Sequence, residues 1–165
     1  MVDFTRLLSR PAGRTPSPKA LPIEWYPGVI TKYEFVESFQ PPVPCVRLFV
    51  RLTDWPRDKD GEHILREDER TQLDPDGNPI PRDITKSQFR RDMSMPEDLS
   101  DRSWYYLDEF FRSCGLSPQD HSYAELFPML INMPVKVHVD QYVPKTDGGS
   151  GDIQNQIDRV VGVAN

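Results

Sequence analysis

Cysteine is scarce: two residues in 165, Cys45 and Cys114, far apart and in no CxxC pair. That spacing excludes a disulfide framework, and neither cysteine forms a metal-ligand pattern with His63, His121 or His138. Both lie among apolar neighbours, so reduced, buried thiols are expected. No run approaches the roughly 18 apolar residues that cross a bilayer. The N-terminus lacks the compact apolar stretch of a secretion signal, and the expectation is a soluble chain that stays in the compartment where it is made. Catalytic signatures are missing too: there is no GxxxxGK, HExxH or GxSxG, and Gly148-Gly149-Ser150-Gly151 lies in a loop without the strand-to-helix turn a nucleophile needs. A protein without enzymatic chemistry, metal or cofactor is expected.

Positive charge is also in deficit. Twenty Lys and Arg against 26 Asp and Glu give a formal charge of −6, which repels nucleic acid unless cations are gathered locally. The distribution is uneven. Residues 1–22 carry Arg6, Arg10, Arg14 and Lys19 against the single Asp3, leaving 16 basic and 25 acidic residues for the rest. Ser9 to Lys19 is rich in Pro, Ser and Arg with little to bury, so residues 1–20 read as a disordered basic arm. Residues 21–165 read as one domain.

Within that domain, period-two patterns mark strands. The first covers Val29 to Glu37. After the proline-rich connection Gln40 to Pro44, Cys45 to Thr53 is the clearest strand: Val46, Leu48, Val50 and Leu52 fall on one face, Arg47, Phe49 and Arg51 on the other. Residues 55–86 form a charged inserted connection, with reversals at Asp58-Lys59-Asp60-Gly61 and Asp74-Pro75-Asp76-Gly77 and an extra hairpin through His63 to Leu73. Neither Asp-x-Asp-Gly string keeps the later ligands of a calcium loop, and both read as plain turns. Phe89, Met93 and Met95 mark a third strand over Ser87 to Met95. Trp104, Leu107, Phe110, Phe111 and Cys114 recur at helical spacing, with Ser100 as N-cap and Gly115 as stop. Ser122 and Glu125 form a capping box for a short helix that Pro128 interrupts. Pro134 to Tyr142 is a fourth strand, with Val135, Val137 and Val139 inward. A Gly-rich hairpin loop leads to a fifth, Gln154 to Val163.

Three strands, a helix and two strands are the order of the OB fold, an all-β five-stranded Greek-key barrel, here with a charged insertion between the second and third strands. The chain also resembles a family of phage-encoded single-stranded-DNA-binding proteins of OB fold, long classed as a phage domain of unknown function. The resemblance runs from about Leu21 to Gly162. It is carried by Leu21-Pro22 leading to Trp25-Tyr26-Pro27-Gly28-Val29-Ile30, the apolar second strand, the helix from Trp104 ending in Cys114-Gly115-Leu116, Leu126 to Ile131 before Pro134-Val135-Lys136-Val137, and Asn155-Gln156-Ile157. It implies binding of exposed single strands during phage replication or recombination in the cytoplasm of a bacterial host, beside phage or host replication and recombination proteins. No acidic tail is present, so recruitment through one is not expected.

Single-strand binding needs cations along the phosphates and flat side chains for the bases. Arg47, Phe49 and Arg51 supply cation, ring and cation on one strand face. Tyr33 and Phe35 on the first strand, Arg90 and Arg91 on the third, and Lys136, His138 and Tyr142 on the fourth are expected to widen this platform. Lys145 in the last loop is expected to close over the strand. Each has a plainer reading: Phe49 covered by the insertion with Arg47 and Arg51 paired to its carboxylates, Tyr33 and Phe35 turned inward by a bulge, His138 a solvated strand residue. The competing function is an OB-fold interaction or structural module, a phage component or an inhibitor of a host protein, to which an acidic body is suited. DNA against RNA, site size and any homo-oligomerisation are left open by the sequence.

Overall fold

A computed structural model describes residues 2–9, 12, 20–143 and 153–164. Its frame is set by the second strand, β2 (Val43–Leu52), where Val46, Leu48, Val50 and Leu52 are all fully buried. Burying each such side chain contributes about 1.5–3 kcal/mol. β2 pairs antiparallel on one side with β1 (Glu24–Ser38) and on the other with β3 (Gln88–Ser94). β1 in turn pairs with β4 (Pro134–Tyr142), and β4 with β5 (Gln154–Gly162), so that the five-stranded antiparallel sheet has the order β3-β2-β1-β4-β5.

β1 is longer than the alternation alone predicts, because its first half belongs to β4 and its second half to β2. Pro27 sits where this exchange happens: pairing with β2 starts only at Gly28, so the missing N–H falls at the end of a ladder. A Cβ at Gly28 would stand 2.9 Å from the Val50 side chain, so the crossing of β1 over β2 is tight.

The sheet is not closed. β3 and β5 approach one another, yet no ladder joins them, so the expected five-stranded barrel is open along this seam. The reason lies at the end of β5, where Gly162 N donates to Ser113 Oγ (2.8 Å) and Ala164 N to the Ser113 carbonyl (3.2 Å). Those donors serve the end of a helix instead of a strand.

Helices number more than the sequence predicts. α1 (Phe4–Leu8) is a short exposed helix capped by Asp3. α2 (Arg102–Ser113) buries Leu107, Phe110 and Phe111 as the spacing predicts, and stops at Cys114 and a left-handed Gly115. Its N-cap is Asp101, whose carboxylate accepts from Ser103 N; Ser100 is instead engaged by Asp98, to which it donates both N–H and hydroxyl. α3 (Tyr123–Met129) carries the predicted capping box. Phe111, Tyr123 and Phe127 pack ring on ring between these two helices. Two 3-10 turns, Glu67–Arg70 and Pro118–Asp120, complete the helical elements among the described residues.

The insertion is not the predicted hairpin. It is two turn loops, each closed by an isolated bridge, Arg57 with His63 and Leu73 with Pro79, flanking the 3-10 turn. Asp58 and Asp74 each accept two backbone N–H groups of their own loop, which uses their carboxylates to close turns. Trp55 anchors the segment: buried beside Tyr26, it donates from its indole to the Arg82 carbonyl at 2.9 Å. No helix among the described residues is long and apolar enough to cross a membrane. Cys45 and Cys114 are free and buried, and burial pushes the Cys114 thiol up to about 11.

Candidate nucleic-acid interface

Because the inward residues of β2 fix its pleat, Arg47, Phe49 and Arg51 share the outer face. Cross-strand register supplies their neighbours. Phe49 lies between Lys32 of β1 and Arg90 of β3, Arg47 between Glu34 and Asp92, and Arg51 between Val29 and Gln88. Phe49 is half-buried, and the Lys32 ammonium sits 4.5 Å from its ring centroid. A ring is thus ringed by cations from three strands.

Arg47 is not available in the way Arg51 is. Its guanidinium makes a two-pronged ion pair with Asp92, Nε to Oδ1 at 2.7 Å and Nη2 to Oδ2 at 3.0 Å, with side chains only 22% and 17% exposed. That bond holds the Asp92 carboxyl below the usual range and the Arg47 guanidinium above its own. The neutralising carboxylate comes from the neighbouring strand and not from the insertion. The insertion pairs internally, Arg57 and His63 with Asp54, Arg66 with Asp68, Arg82 with Glu69. Lys32 pairs with Glu34 at 3.0 Å. Arg51, Arg90, Arg91, Lys136 and Arg159 form no ion pair among the described residues. Five of the seven strand cations therefore form no ion pair among the described residues, and two of them, Arg51 and Arg90, lie beside Phe49 on the outer face.

Tyr33 and Phe35 do not share the outer face with Phe49, although Phe35 is 61% exposed. A bulge between Ile30 and Lys32 inserts Thr31 as an extra residue and reverses the parity of the rest of β1. Tyr33 and Phe35 then oppose the inward Leu48 and Val46 and meet Phe127 of α3, with ring centroids 5.8 and 5.4 Å away. Arg91 parts from Arg90 by the same alternation: it opposes inward Leu48 and lines a cleft of about 690 Å³ between β3 and β5, with Arg159 across it and Tyr106 and Phe110 from α2. At the mouth of this cleft Phe39, 57% exposed, holds a φ of 73°, an uncommon conformation for a bulky residue.

Lys136 and His138 lie on the outer face of β4, with Trp25 of β1 and Arg159 of β5 as the register partners of His138. Tyr142 is six residues beyond Lys136, roughly 20 Å along the strand, with its hydroxyl 3.4 Å from Gln154 Oε1. Lys145 lies outside the described residues, as do Arg10, Arg14 and Lys19 of the arm. The residues that sequence reasoning missed are Lys32, Trp25 and Arg159. Lys32 was hidden by the bulge. Trp25 was detectable only by deciding which of two adjacent aromatics, Trp25 or Tyr26, is core, and Tyr26 is the fully buried one. Among the described residues no group of three or more His, Cys, Asp or Glu side chains is arranged to hold a metal. The chain matches no family model and no curated protein in the comparisons made.

Proposed function

We propose that this protein binds single-stranded DNA without sequence preference, as part of phage replication or recombination in a bacterial host. The observation that carries the reading is the environment of Phe49: one half-buried ring on an outward sheet face, with Lys32 over it and the unpaired Arg51 and Arg90 beside it. Bases stack on such a ring for about 1–3 kcal/mol each while the guanidinium groups follow the phosphates. The strand order, with β3 and β5 facing each other across a seam, is that of an OB barrel left open along one side, and OB folds bind oligonucleotides on the face of the second and third strands. The proposed family is the phage single-strand binders that the sequence resembles.

A second reading, an interaction module without nucleic-acid binding, rests on the Arg47–Asp92 pair and on α2, whose Tyr105 and Tyr106 are 61% and 60% exposed. An electrophoretic shift at low salt separates the two readings. Retention of an unstructured single strand in preference to duplex, weakened about tenfold by Phe49→Ala, supports the first. No retention of any oligonucleotide assigns the protein to the second.

A further inference from the structure

We propose that the outer face of β1, β4 and β5 is a second base-stacking platform, centred on Trp25, which lengthens the single-strand site beyond Phe49. This inference rests on the proposed single-strand binding and adds to it a second contact region. Trp25, His138 and Arg159 are consecutive partners across three strands. The rings of Trp25 and His138 meet edge to face at 5.3 Å, and the Arg159 guanidinium lies 5.4 Å from the indole centroid. The guanidinium sits over the indole ring, and bases stack on guanidinium planes as well as on rings, so a base reaching this face meets the Arg159 plane.

Three further observations separate Trp25 from a structural tryptophan. First, the indole N–H of Trp55 donates to the Arg82 carbonyl and that of Trp104 to the Pro96 carbonyl at 3.0 Å, whereas that of Trp25 donates to no group among the described residues. The Trp25 indole N–H is not among the buried polar atoms left without a partner, so it is open to solvent on this face. Second, the nearby carboxylates are engaged within the protein and make no ion pair with Arg159 or Lys136. Asp158 takes the His138 Nδ1 at 2.7 Å, Glu24 accepts the Trp25 backbone N–H, and Asp140 accepts that of Gln141. Arg159 and Lys136 are left unpaired to meet phosphate. Third, the platforms are joined: Arg159 lines the β3–β5 cleft opposite Arg91, and Arg90, the next residue of β3, stands beside Phe49. Arg91 and Arg159 thus both border the seam between the two regions, alongside the carboxylates of Asp92, Glu109 and Asp158.

The test is titration at low salt with deoxythymidine oligomers of about six and about twenty nucleotides, lengths chosen around the site of roughly 4–16 nucleotides held by one OB fold. Binding is read by anisotropy of a labelled oligomer and by intrinsic tryptophan fluorescence. Expected are quenching by the long oligomer in the wild type, loss of that quenching in Trp25→Phe with binding kept, and about tenfold weaker binding of the long oligomer by Trp25→Ala and by Arg159→Ala. The short oligomer, held at Phe49, binds all variants alike. Wild-type affinity for the long oligomer in both alanine variants, with circular dichroism unchanged, overturns the second platform and leaves the Phe49 reading standing. Failure of the wild type to bind either length overturns both. Arg159 is exposed, so its variant decides the question should Trp25→Ala not fold.

Discussion

At the scale of single residues, the pair Arg47–Asp92 restrains the proposed interface. Asp92 spends one strand guanidinium that would otherwise face phosphate, and Asp92→Asn keeps the side-chain shape while releasing the charge. At about 50 mM salt the release of one more counterion predicts roughly fivefold to tenfold tighter binding of a single-stranded oligomer by this variant. Stability moves the other way. The Asp92 carboxyl is held below its unfolded value near 3.9 by Arg47, so its stabilisation is fully present above about pH 4 and is lost as pH falls through the lowered folded value. Wild type is therefore expected to unfold at higher temperature than Asp92→Asn at pH 7, and the gap is expected to close toward pH 2. A gap independent of pH in thermal melts followed by circular dichroism contradicts this role for the pair.

Elements place these residues, and the contact between α2 and β5 is the tightest of the placements. A Cβ on Gly162 would lie 2.3 Å from the Ser113 carbonyl oxygen, backbone that cannot swing aside. Gly162→Ala is expected to cost about 1–3 kcal/mol by overpacking, seen as a fall of several degrees in the melting temperature, and to disturb the seam that α2 holds open. An unchanged melting temperature contradicts the docking. β2, α2, α3 and β4 were legible in the sequence because one physical period runs through each: Val46 to Leu52 alternate without exception, and Leu107, Phe110 and Phe111 keep one helix face; β5 was legible as a strand although an extra residue at Asp158 shifts its register. β1 was not, because the extra residue at Thr31 reverses parity in a strand where polar and aromatic residues occupy both faces. The sequence offers such a bulge only as the plainer reading of Tyr33 and Phe35; its position at Thr31 follows from pairing with two different partners. The N-cap of α2 was misplaced for a related reason, since Ser100 and Asp101 are both good caps and Asp98 engages the first.

On the scale of the whole molecule, a formal charge of −6 coexists with five strand cations that form no ion pair among the described residues, while Arg57, Arg66 and Arg82 of the insertion are paired to carboxylates of that region. The Phe49 part of the interface was readable from one strand, whereas its limits were set by long-range register that brings Lys32, Arg90 and Arg159 to the surface. On the proposed function, such an arrangement would make binding depend on few phosphates against a repulsive background. The salt dependence of affinity for an unstructured single-stranded oligomer tests this most directly, each neutralised phosphate contributing about −0.7 to the slope of log K against log salt. Three to five contacts predict a slope of roughly −2 to −3.5, reduced by about 1.4 in the double variant Arg51→Ala/Arg90→Ala. A slope near zero in the wild type, or one that the double variant leaves unchanged, contradicts a strand-face interface.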